Sequence, residues 1–226
     1  MACLNRYPRT CHLPFSPGAT RDDRMIEDGG SSLLDIPVVL TEKMDGSNVI
    51  LRRGGVHPRA RWHESMNPLR ALHARIGRCI PEQLDLAGEW LFAVHSIRYR
   101  ALQAWYQVFG VFDAGREVFL GWDEVERTAR SLGLHTVPVL ARDVRFANMA
   151  LLRSHVEALM RTSSSQGGDR EGVVVRAARE ISPAEFGAMV GKYVRAGHVA
   201  EGVEHWSVGP WTRNELATSD KAGGSR

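Results

Sequence analysis

Lys43 stands at the end of the apolar run Ile36-Pro37-Val38-Val39-Leu40-Thr41-Glu42 and is followed at once by Met44-Asp45-Gly46-Ser47-Asn48. An amine attacks only when neutral, and a solvated lysine keeps its proton up to about pH 10.4. Apolar surroundings disfavour the ammonium form, so a lysine at the mouth of an apolar strand is a candidate for covalent chemistry. Asp45 and Gly46 supply a turn, since glycine reaches positive φ without steric cost and aspartate closes Asx-turns. An edge strand ending in a plain hairpin is written with the same residues, so Lys-x-Asp-Gly alone does not decide. The choice of basic residues adds weight. Lysine and arginine together number 29, yet only Lys43, Lys192 and Lys221 are lysines. Arginine keeps its proton in proteins and cannot be the nucleophile.

Other residues carry chemistry of their own. Glu89 sits among Leu86, Ala87, Gly88, Trp90 and Leu91, where a buried carboxylate requires a partner, either a ligand or a structural cation. Glu171 follows the loop Ser163-Ser164-Ser165-Gln166-Gly167-Gly168 and heads Gly172-Val173-Val174-Val175-Arg176. A carboxylate so placed suits Mg²⁺, which takes one or two carboxylates together with substrate phosphates. His95, Ser96, Arg98 and Tyr99 form a small polar cluster able to grip a phosphate or stack a base, or simply a polar patch on a loop.

These residues need elements to hold them. Residues 1–35, rich in Pro, Gly, Asp and Arg, read as an irregular segment packed on the surface, with Gly29-Gly30-Ser31-Ser32 as a joint. Strands over 38–42 and 48–53 flank the Lys43 turn. Asn67-Pro68 opens a helix carrying Leu69, Leu72, Ile76 and Ile80 at helical spacing. Further strands fall at 84–91, 107–113, 118–120 and 171–176, with helices at 123–132 and 144–160. Ser182-Pro183 begins a last helix, with Ser182 as its N-cap. Without strict βαβ alternation the pattern predicts an α+β fold with mostly antiparallel sheets. One catalytic domain is expected over 1–211, followed by a polar tail over 212–226.

Bulk properties narrow the class. With 29 basic and 26 acidic residues the net charge is only +3, which does not by itself imply nucleic acid. No apolar run approaches the ~20 residues that span a bilayer, so no membrane partner is expected. Cys3, Cys11 and Cys79 are too few and scattered for a disulfide framework or a zinc site, and a reducing cytoplasm is the simplest reading.

Five short segments occur in one order: Glu42-Lys43-Met44-Asp45-Gly46, Gly88-Glu89-Trp90-Leu91-Phe92, Phe109-Gly110-Val111-Phe112-Asp113, Glu171-Gly172-Val173-Val174-Val175-Arg176 and Gly191-Lys192-Tyr193-Val194-Arg195. This order resembles the covalent nucleotidyltransferases, namely polynucleotide ligases and capping enzymes, and within them the ATP-dependent RNA ligases. The words Arg6-Tyr7-Pro8-Arg9-Thr10, His12-Leu13-Pro14, His95-Ser96-Ile97-Arg98-Tyr99 and Lys192 through Val199 are similar to those of small bacterial and phage RNA ligases. The resemblance implies two mostly antiparallel sheets flanked by helices around a nucleotide cleft, the adenylyltransferase (ATP-grasp-like) ligase catalytic domain. It implies ATP and Mg²⁺ or Mn²⁺ as cofactors. Its partners are RNA with 5′-phosphate and 3′-hydroxyl ends and a separate end-healing kinase or phosphatase.

Roles follow from the resemblance. Lys43 becomes the nucleophile that takes AMP, and Lys192 contacts the α-phosphate. Glu42 faces the adenine, Phe109 (or Phe112) stacks on it, and Glu89 holds the ribose hydroxyls. Asp45 and Gly46 shape the turn, while Asn48 reaches the phosphates and a metal-bound water. Glu171 ligates the metal. Arg61, with Arg59 as competitor, lies near the ribose and the RNA 3′ end; His95 and Arg98 contact the RNA end. The family places a second lysine two positions after Lys192, where this chain has Val194. Arg195 stands next and substitutes as a phosphate clamp only if strand alternation does not turn it away. The chain remaining after Val194 is too short for the oligonucleotide-binding barrel of DNA ligases and capping enzymes, which disfavours both. A nucleotide- or RNA-binding module without catalysis is the alternative from another class; intact Lys43, Glu89, Glu171 and Lys192 argue against it.

Overall fold

The computed structural model describes residues 3–197, 206–207 and 209–218. His198 and Val199 of the last motif, Lys221, and residues 219–226 of the polar tail lie outside them. In chain order the strands are β1 (Cys11–His12), β2 (Val38–Lys43), β3 (Ser47–Arg52), β4 (Gly55–Pro58), β5 (Leu84–Trp90), β6 (Tyr106–Asp113), β7 (Val118–Phe119), β8 (His135–Thr136), β9 (Val139–Val144), β10 (Gly172–Ala177) and β11 (Val190–Val194). The helices are α1 (Asn67–Ile76), α2 (Trp122–Ser131), α3 (Met149–Met160) and the short α4 (Phe186–Met189).

Two sheets result, both mostly antiparallel, as the sequence predicts. One runs β1-β11-β10-β2-β9; the other runs β4-β3-β5-β6-β7, with β8 added to β6. β2 is buried along all but its last residue, which is why it reads as an unbroken apolar run rather than an alternating one. One core packs α1 and α2 on the second sheet through Leu69, Ile76, Trp122 and Val125. Another packs α3 on the first through Leu152 and Val156.

Several elements differ from expectation. Lys43 does not sit in a hairpin: β2 and β3 belong to different sheets, and Met44-Asp45-Gly46 carries the chain across. Gly46 has no positive φ. It is glycine because a Cβ there would lie 2.6 Å from the Trp90 carbonyl oxygen. The N-terminal segment is not irregular throughout, since β1 pairs in parallel with β11, His12 opposite Lys192. Val144, expected to open a helix, instead ends the strand over 139–144. α3 begins only after Asn148, whose Oδ1 accepts from the Leu151 amide at 3.0 Å. α1 stops at Ile76, so Ile80 enters the core from beyond it. Ser182 and Pro183 form a turn closed by Glu185, whose carboxylate accepts from the Ser182 amide and hydroxyl. Residues 212–217 are docked rather than trailing, with bridges Ala93–Arg213 and Leu102–Leu216.

Candidate active site

Register fixes the first half of the site. Thr41, Val174 and Lys192 stand opposite one another on adjacent strands β2, β10 and β11, so their side chains share a face. Lys43, two residues beyond Thr41, shares it too, and Gly172 opposite Lys43 places Glu171 directly alongside. Lys43 Nζ donates to Glu171 Oε1 at 2.5 Å, with the glutamate side chain only 3% exposed. The second sheet supplies the other half. Asn48 and Glu89 are paired across β3 and β5, and both line the cleft of about 520 Å³ that also exposes Lys43, Glu42, Gly46 and Lys192. The β5–β6 register slips between Ala87 and Gly88. There Tyr106 crosses over Gly88, where a Cβ would come within 2.4 Å of its ring, and its hydroxyl donates to the Leu86 carbonyl at 2.7 Å.

Electrostatics correct the sequence reading of Lys43. Burial alone would lower its pKa, but Glu171, Glu89 and Asp45 outweigh burial and leave the amine above its ordinary value. Lys192 is the amine that is lowered, by burial first and then by the charge of Lys43. Glu89 moves the other way: burial, then the neighbouring Glu171 and Asp45, push it up to about 8 against the pull of Lys43. Glu42 is 1% exposed and raised by burial, with Ser164 and Arg170 opposing. Its Oε2 lies 3.3 Å from Arg170 Nε, and neither carboxylate oxygen has a hydrogen-bond partner of good geometry. Strand alternation turns this carboxylate to the face of β2 opposite Thr41 and Lys43, toward Arg170, so Glu42 meets the cleft through its backbone.

Asp45 is a tether. Its Oδ2 accepts from the Ser96 amide, the Ser96 hydroxyl and the Ile97 amide, each at 2.8 Å, while its own amide donates to Tyr99 Oη. That holds the 95–99 loop against the Lys43 crossover and buries Tyr99 completely. Phe109 faces the cleft and meets Tyr7 edge-on at 5.0 Å, whereas Phe112 packs on Phe119 in the core. His95 lines the cleft and stacks on Trp206 with ring centroids 3.9 Å apart.

Arg61, Arg98 and Arg195 are not brought to the cleft. Arg61 is exposed outside it, and the wall it was expected to hold carries Arg59, whose Nη2 donates to the Tyr7 carbonyl at 2.7 Å. Arg98 reaches Thr212 and Glu215 on the outer surface. Arg195 lies one residue past β11 and pairs with Asp169 at 3.1 Å. Sequence reasoning gave no role to Asp23 and Arg24 and read Arg176 as structural; all three line the cleft. Arg176 is buried, donating to the carbonyls of Phe109 and Leu120, and so fixes the strand that presents Phe109.

The family model described as RNA ligase matches residues 36–194, more than half of the sequence. The chain belongs to the RNA ligase family. The match spans every element from β2 to β11, and so every strand that carries Lys43, Glu89, Glu171 and Lys192. A search of curated protein sequences found no match. Among solved structures, a Naegleria gruberi RNA ligase with PPi superposes with a TM-score of 0.53 at 16% identity, covering 88% of this chain and 60% of that one. An E227A mutant of the Naegleria enzyme with ATP and Mn gives 0.52 at 15%, covering 85% and 58%. A putative ATP-dependent DNA ligase from Aquifex aeolicus gives 0.51 at 18%, covering 84% and 49%. These likenesses establish a shared fold, and this RNA ligase family chain spans about three fifths or less of those proteins' lengths.

Proposed function

We propose that the chain is an ATP-dependent RNA ligase that joins a 5′-phosphate to a 3′-hydroxyl through a covalent lysyl-AMP. The observation that carries this is the convergence of Lys43, Lys192 and Glu89 from two sheets on one cleft, with Glu171 bonded to Lys43. In the first step Lys43 Nζ gives up its proton and attacks the α-phosphorus of ATP; an N–P bond forms as the bond to the β-phosphate oxygen breaks, and pyrophosphate leaves. The RNA 5′-phosphate then takes the AMP from Lys43. The 3′-hydroxyl attacks that activated end, and AMP departs. Each step gathers negative charge around phosphorus, which Lys192 is placed to offset. The backbone at Glu42 receives the adenine amine, Phe109 stacks on the ring and Glu89 binds the ribose.

Lys43 begins the cycle as an ammonium locked to Glu171, so the pair must part before the amine can attack. Glu171 suits Mg²⁺ or Mn²⁺, as does the Asn48 side chain through water, because such ions take few carboxylates alongside phosphates. A divalent cation held there would supply charge neutralisation on the triphosphate, and Glu171 would be drawn from Lys43 toward it. The three cysteines are free thiols, which agrees with a reducing cytoplasm.

The test is to incubate the protein with α-labelled ATP or GTP and a divalent cation, then follow label on the protein and on RNA or DNA ends. Label from ATP, retained on Lys43 and transferred to RNA 5′-phosphates, is the expected result. Label from GTP alone, or an adduct that persists in Lys43→Arg, would overturn the assignment.

A further inference from the structure

A second groove of about 900 Å³ adjoins the nucleotide cleft, and Tyr7, Arg9, Arg24 and Arg59 line both. Its remaining charges are Arg6 and a single carboxylate, Glu27. Four guanidiniums against one carboxylate give it an excess equal to the formal +3 of the entire chain. They come from distant parts of the sequence: Arg6 and Arg9 precede β1, Arg24 follows it, and Arg59 leaves β4. None of the four makes an ion pair among the described residues. One unpaired surface arginine is ordinary; four around one groove that opens into a nucleotide cleft are not.

We propose that this groove grips the phosphodiester backbone of a single-stranded RNA end and leads it to Lys43. The polymer's identity rests on the RNA ligase reading above; the polyanion site rests on the arginines. Arg59 is lowered by burial first and then by Arg9 and Arg6, so the empty groove is self-repelling and is relieved by phosphates. Pro8, Met25 and Pro183 give it apolar surface beside the charges, with Met25 46% exposed. Ribose and base faces can cover such surface, and the pyrophosphate of ATP cannot use it. That favours a strand over the nucleotide's own phosphates.

The experiment titrates a labelled, 5′-phosphorylated single-stranded RNA by fluorescence polarisation between about 50 and 200 mM salt, alongside label transfer from ATP. Wild type, Arg6→Ala and Arg6→Ala/Arg9→Ala are compared; both side chains are exposed, so melting temperatures stay unchanged. Each arginine removed is expected to weaken binding and to reduce the slope of log affinity against log salt by about 0.7. Arg6→Ala, which lies outside the cleft, keeps wild-type labelling by ATP. Unchanged affinity and slope in the double variant overturns the proposal, as does wild-type protein that binds no RNA. Loss of ATP labelling with RNA affinity intact also overturns it, and assigns the groove to the triphosphate. If wild type takes no label from ATP yet the variants lose RNA affinity, the ligase reading fails and the groove stands.

Discussion

Lys43 and Glu171 form a contact with two jobs, and substitutions separate them. Lys43→Arg keeps a cation beside Glu171 but offers no neutral amine, so it is expected to fold as wild type and take no label from ATP. Lys43→Met removes both, leaving a carboxylate that is 3% exposed without its cation. Breaking a fully buried pair costs about 3–5 kcal/mol; Lys43 is 27% exposed, so about 1–3 kcal/mol of stability is the expected loss. Urea melts of the two variants check this, and equal stabilities would show that the contact adds nothing to the pairing of β2 with β10. Glu89 gives a pH signature. Its carboxyl sits at about 8 in the folded chain against an ordinary 4.5. The folded state therefore holds a proton that the unfolded state has released, and stability falls as pH rises from about 4.5 through 8. Glu89→Gln, which never ionises, is expected to flatten that fall and to melt above wild type near pH 8. Thermal melts from pH 5 to pH 9 that run parallel for the two proteins would contradict it.

Among the elements, β2 and α3 are joined by one side chain. Arg170 donates to the Leu159 carbonyl, to the Thr162 hydroxyl at 2.7 Å and to the Ser163 carbonyl at 3.1 Å, and it also faces Glu42. It satisfies carbonyls at and beyond the end of α3 and neutralises a buried carboxylate on the nucleophile strand. Arg170→Ala is expected to lose about 3–5 kcal/mol, because it leaves the Glu42 carboxylate buried without its cation; Arg170→Lys restores part of the stability. An alanine variant as stable as wild type in urea would remove Arg170 from this role. Much of the element layout was legible in the sequence. The buried strands at 38–43, 84–90 and 106–113 read as apolar runs, and α2 read within one residue. β9 did not, because Val139-Leu140-Ala141-Arg142-Asp143-Val144 has no alternating pattern and pairs with β2 through two register shifts. The final helix was overread for a related reason: Ser182 and Pro183 supply cap letters to a turn. Gly46 was assigned to turn geometry when close approach to Trp90 is what requires it.

At the scale of the molecule, the cleft exists because two sheets meet where the chain crosses from one to the other, and Lys43 occupies the crossing point. Sequence motifs located the residues that strand register brings together: Lys43, Glu89, Glu171 and Lys192. They could not place Arg61, Arg98 and Arg195, whose positions depend on loops and on partners distant in sequence. The clearest long-range contact is Asn214, read only as part of a polar tail. It is 1% exposed; its Oδ1 accepts from the Tyr99 amide at 2.8 Å and its Nδ2 donates to the carbonyls of Leu91 and Ala93. Those backbone groups bracket the 95–99 loop, which Asp45 ties to the Lys43 crossover. Asn214→Ala strips three buried backbone groups of their partners at about 1–3 kcal/mol for each group left unsatisfied. The whole chain is expected to lose several kcal/mol in urea, and the rate of AMP capture by Lys43 is expected to fall more steeply than nucleotide affinity, since the loop orients the crossover and reaches the cleft only through His95. Asn214→Asp, which keeps the acceptor for Tyr99 but sets a buried carboxylate oxygen against the Leu91 and Ala93 carbonyls, should be no more stable than the alanine variant. Stability lost with unaltered AMP capture would show that the C-terminal segment braces the fold and leaves the nucleophile where it is.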